Sequence, residues 1–60
     1  MESELNGSEK RIYRILGDYP IHIDDIARQG EMDVGEVSSV LMELELKGCI
    51  KQLMGKMFVR

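Results

Sequence analysis

The 60-residue chain has one cysteine, one histidine, one proline, no tryptophan and no long apolar run. The lone Cys49 cannot close an internal disulfide, so the chain suits a reducing, cytoplasmic setting. With His22 as the only histidine and no cysteine at ligand spacing from it, no metal site is expected. No stretch approaches the roughly 20 apolar residues of a membrane span, and no signal-peptide pattern opens the chain. A chain this short buries only about 60% of the surface its unfolded form exposes. That leaves no room for a catalytic domain with a deep cleft. No Ser-His-Asp or Cys-His arrangement is suggested, and Gly55-Lys56 lacks the upstream glycine of a phosphate loop. The expectation is a non-enzymatic module without cofactor, small-molecule substrate or membrane attachment.

What is abundant is acid, and it is unevenly placed. Residues 21–48 carry seven acids against Arg28 and Lys47, a net of −5 within a chain of net −3. Residues 49–60 carry Lys51, Lys56 and Arg60 with no acid, a net of +3. Modules that grip duplex DNA concentrate lysine and arginine where they meet phosphate. Here the central segment repels it.

Helix signals divide the chain. Asn6 is a good cap, with Glu9 three residues on, where it can reach back to the cap's own amide. Ile12, Ile15, Leu16 and Tyr19 follow at helical spacing, and Gly17 and Pro20 predict an end near Asp18. Ile21 reads as a minimal strand. Ile23, Ile26 and Ala27 share one face of a short second helix, which puts His22 at its N-cap and Asp24 and Asp25 in its first turn. Gly30 is expected at its C′ position. A four-residue turn follows. Asp33 and Glu36 repeat the capping-box spacing, and Met32 and Val37 sit at the positions of a hydrophobic staple. A third helix then runs to about Lys47, with Val34, Val37, Val40, Leu41 and Leu44 facing inward. Gly48 ends it. Met54-Gly55 centres a hairpin, with Ile50 and Phe58 inward and Lys51 and Lys56 outward. Residues 1–4 read as a flexible leader and 5–60 as one domain. The fold class is mainly α with a small β wing: a winged helix-turn-helix of three helices and a two- or three-stranded antiparallel sheet.

"PIHIDDIA", "LMELELKGCIKQLMGKMFVR" and the spacing between them resemble the C-terminal winged-helix domain of the DNA-processing protein A family, also called Smf. The segment of Pro20, His22, Asp24, Asp25, Ile26 and Ala27 carries the more specific part of the resemblance. The run Leu44-Glu45-Leu46-Lys47-Gly48 occurs in many winged helices. The resemblance implies a C-terminal fragment of a larger protein. In that family a Rossmann-like domain, absent here, binds single-stranded DNA and helps load recombinase during natural transformation. The family often has a proline-glycine wing turn where this chain has Met54-Gly55, which bears on the rigidity of the wing.

Two functional readings compete. In the first, the third helix and wing form a protein-contact or self-association surface, with Ser38, Ser39, Met42 and Glu43 as partner contacts and adaptable methionines among them. In the second, the domain is a DNA-binding winged-helix regulator that uses Lys51, Lys56 and Arg60, helped by Lys10, Arg11 and Arg14. The outward positions of the third helix are Gly35, Glu36, Ser38, Ser39, Met42 and Glu43, without a lysine or arginine before Lys47. Major-groove reading enlists Arg, Lys, Asn or Gln backed by phosphate contacts. Charge placement therefore favours the first reading, with only weak single- or double-stranded DNA binding by the isolated domain. Cys49, at the helix-to-strand junction, reads as a small core residue.

Overall fold

The computed structural model describes residues 5–60 as α1 (Gly7–Ile15), β1 (Ile21–His22), α2 (Ile23–Gly30), α3 (Val34–Leu46), β2 (Lys51–Leu53) and β3 (Met57–Val59). The leader expected at 1–4 lies outside the described residues. Each helix starts on a side chain that takes an amide the helix cannot satisfy itself. At α1 the capping box is complete: Asn6 accepts from the Glu9 amide at 2.8 Å, and the Glu9 carboxylate accepts from the Asn6 amide at 3.0 Å. At α2 the His22 ring nitrogen Nδ1 accepts from the Asp24 amide at 3.0 Å, as the sequence implies. At α3 Asp33 accepts from the Glu36 amide at 3.3 Å, and Glu36 stays exposed without the reciprocal bond.

One core joins the three helices to the sheet. Ile12, Leu16, Ile26, Val37, Leu41 and Leu44 are fully buried, and Leu5, Ala27, Ile50 and Phe58 complete the cluster. The staple residues follow suit, Val37 wholly inside and Met32 half-buried against the core. The sheet is three-stranded and antiparallel in the order β1-β3-β2. Phe58 on the central strand pairs with Ile21 on one side and Gln52 on the other. The Met54–Lys56 turn takes two consecutive left-handed residues, Gly55 and Lys56. The Lys56 carbonyl accepts from the Ile23 amide at 3.1 Å, which stitches the wing tip to the start of α2. The bond reaches Lys56 and leaves Met54, at the tip, 95% exposed.

Five expectations need correction. Helix α1 stops at Ile15, three residues early, because Leu16 turns extended and its carbonyl and that of Gly17 are taken by Arg60. Past that point helical spacing no longer applies, and Tyr19 is 83% exposed rather than inward. Val34 is 46% exposed, because the first turn of α3 extends past the core and opens onto a surface groove. The turn between α2 and α3 has three residues, not four, and the left-handed position is Glu31 (φ 55°), not Gly30. Gly30 serves close packing instead. It is buried, and a Cβ there would meet the Ile15 side chain at 3.4 Å.

Glu31 therefore carries a left-handed penalty that glycine would not, about 1–2 kcal/mol. Greater freedom of glycine in the unfolded chain offsets part of this. Glu31→Gly is expected to raise stability by about 0.5–1 kcal/mol in urea unfolding. An unchanged or lower midpoint would contradict that reading of the cap.

Candidate functional site

The surface of α3 follows from its sequence. Apolar residues occupy Val34, Val37, Val40, Leu41, Met42, Leu44 and Leu46, more than one face can bury. Val37, Leu41 and Leu44 go into the core, while Val34, Met42 and Leu46 remain exposed. Val34, Ser38, Met42 and Glu45 fall on one stripe at helical spacing. Together with Gly35 and Leu41 they form one wall of a groove of about 560 Å³. The β1–α2 junction adds His22, Ile23 and Asp24 to its lining, and the wing adds Gln52, Lys56 and Phe58.

The four expected partner-contact residues are all exposed, but the helix separates them. Ser38 and Met42 line the groove. Ser39 and Glu43 do not. The contributions of Val34, Asp24, Glu45 and Gln52 were not foreseen. The signal for the α3 members was present as a second stripe beside the core stripe, blurred by the surplus of apolar residues. Nothing local in the sequence joins Asp24 or Gln52 to that stripe, because the join is made by β1 and β2 pairing with β3.

The expected basic contacts are also separated. Lys51 pairs opposite Val59 at the base of the hairpin, whereas Lys56 sits in its tip. Arg60 is committed to the fold. Its Nε donates to the Leu16 carbonyl at 2.6 Å, its amide donates to Gly17 at 3.0 Å, and its guanidinium lies 4.6 Å over the Tyr13 ring. Arg11 Nη1 donates to the buried Gly30's carbonyl at 3.0 Å, and Arg28 pairs with Asp25 at 3.0 Å. Among the described residues, Lys10, Lys51 and Lys56 have ammonium groups with no such partner.

Lys47, the one base at the end of α3, is likewise occupied. Its Nζ lies 2.9 Å from Glu9 Oε1, the buried carboxylate that also closes the α1 capping box. The Lys47 hydrogen bond, then the Asn6 amide, hold the Glu9 carboxyl below the usual carboxylate range. The same bond raises Lys47 above the usual lysine range. Glu9 therefore contributes stability that is present above its unfolded pKa of about 4.3 and is lost as pH falls through the depressed folded value. Lys47 contributes stability that is present below about 10.4 and is lost as pH rises through its raised value. Glu9→Gln is expected to flatten the acid limb of urea midpoint against pH. Identical acid limbs in the two proteins would show that the pair adds nothing.

Among the described residues no group of three or more His, Cys, Asp or Glu is placed to hold a metal. Cys49 is half-buried at the α3–β2 junction. Among the described residues no helix is long and apolar enough to cross a membrane. A family model described as the DprA winged helix domain matches residues 2–56. No individual curated protein matches the chain.

Proposed function

Because the chain belongs to the DprA winged helix domain family, we propose that it serves a DNA-processing protein as a protein-contact module and not as its DNA-reading element. In this reading it is the non-catalytic C-terminal piece of a cytoplasmic protein that takes part in DNA uptake and recombination mediation. DNA handling falls to a Rossmann-like body. The observation that carries the reading is the surface of α3. It exposes Glu36, Glu43 and Glu45 and has no lysine or arginine between 34 and 46. Phosphates approaching within a Debye length of about 8 Å meet this acidic face with its repulsion only partly screened.

The free bases do not restore DNA affinity. Arg60 and Lys47 are engaged, which leaves Lys51 and Lys56 on the wing. Neutralising two or three phosphates gives a salt slope of only about −2 to −3. Non-specific affinity is expected at or below the weak end of its usual range, about 10⁻⁴ M. Fluorescence anisotropy with labelled duplex and single strand at physiological salt tests this. Submicromolar binding of either would restore the DNA-reading alternative.

A further inference from the structure

We infer that the groove between α3 and the wing receives a basic, amphipathic segment of a partner protein, with an apolar side chain seated against Met42 and Phe58 and a lysine or arginine meeting Asp24 and Glu45. This rests on the contact-module reading above and adds the chemistry of the partner. The floor of the groove is apolar, formed by the buried Leu41 and Phe58. Its α3 rim carries Val34 and Met42, the latter 61% exposed. An unbranched thioether at the rim adapts its shape to whatever side chain enters. Gly35 also lines the groove, and a Cβ there would meet the N-cap Asp33 Oδ2 at 2.9 Å.

Charge decides which partner fits. Asp24, in the first turn of α2, and Glu45, in the last turn of α3, both line the groove. Among the described residues neither carboxylate is paired with a lysine or arginine. The nearest ring nitrogen to Asp24, His22 Nδ1, is 3.7 Å away and already accepts Asp24's own amide. Lys56 is the one lysine or arginine lining the groove, so its two carboxylates outnumber its ammonium group. A neutral apolar segment would cover two carboxylates without compensating them, and an acidic one would add repulsion. A basic segment satisfies both. The wing tip of a second copy, where Met54 is 95% exposed beside Lys56, is the rival occupant, and the concentration arm of the test below separates it from a partner protein. The basic α1 is a poorer candidate, because its apolar face is spent in the core through Ile12.

The test is an amide-shift titration of the isotope-labelled chain at physiological salt with three probes. These are a helix-forming peptide of leucine and lysine, its leucine and glutamate counterpart, and a short DNA duplex. The lysine peptide is expected to shift the Asp24, Gly35, Ser38, Met42 and Gln52 amides saturably. Glu45→Lys, at an exposed site that leaves the core intact, should weaken it roughly tenfold, or about 1.4 kcal/mol. Asp24→Lys combined with it should transfer preference to the glutamate peptide. Equal groove binding by the glutamate peptide overturns the inference while leaving the contact-module reading in place. So do groove shifts that depend on protein concentration alone, or no groove shifts with millimolar lysine peptide. Tight duplex binding at these same amides overturns both.

Discussion

Ile26→Ala is expected to destabilise the domain by about 2–5 kcal/mol, the usual range for removing a buried aliphatic side chain. Ile26 is wholly inaccessible, on the face of α2 that meets the shared core. At roughly 0.05–0.15 kcal/mol per residue, a chain this short has only about 3–9 kcal/mol in total. The alanine variant is therefore expected to be largely unfolded at the warm end of the physiological range. Asp24→Asn, two residues away, should cost about 0.3–1 kcal/mol, because that acid is exposed and contributes mainly through the helix terminus. Urea unfolding followed by circular dichroism ranks the two. If the alanine variant has no folded baseline, Ile26→Val, at about 0.5–1.5 kcal/mol, keeps the comparison measurable. An aspartate change more damaging than the core change would mean that the acid holds something beyond its own helix.

The second large effect is on DNA affinity. Reversing Glu36 and Glu43 to lysine changes the net of residues 21–48 from −5 to −1 and places two cations on the exposed surface of α3. Each new phosphate contact steepens the salt slope by about 0.9. Affinity for duplex is expected to rise tenfold or more, from about 10⁻⁴ M towards the 10⁻⁵–10⁻⁶ M of ordinary non-specific binders. Neither residue is buried, so the fold should survive the change. Unaltered affinity, with an unaltered slope, would show that α3 never faces the duplex and that its acids are irrelevant to the weak binding.

Much of the fold was readable because its signals are local. Asn6 with Glu9, His22 before Ile23, and Asp33 before Val34 each name a helix start through a bond spanning two or three residues. The inward residues Ile12, Ile26, Val37, Leu41 and Leu44 announce themselves by spacing on one cylinder. The errors fall where distant segments intervene. Arg60 meets the end of α1 across more than forty residues and shortens it, exposing Tyr19. Ile15 lies over Gly30, so the glycine serves packing and Glu31 takes the left-handed turn. The Glu9–Lys47 pair spans 38 residues, and its partners were legible only as a cap and as the last base of α3. The candidate surface was half-legible for the same reason. Ser38 and Met42 lie on a helix face that can be drawn from the sequence, whereas Asp24 and Gln52 reach the groove only through sheet pairing.

A contact role for α3 of this DprA winged helix domain, as proposed, requires that the helix stay clear of DNA. Amide-shift mapping of the unmodified chain with duplex DNA at physiological salt tests it most directly, because it reports position as well as strength. Small, unsaturated shifts confined to Lys51, Lys56 and the exposed side of α1 are expected, with residues 34–46 unmoved. Saturating shifts across Gly35, Ser38, Ser39 and Met42 at micromolar duplex would contradict it.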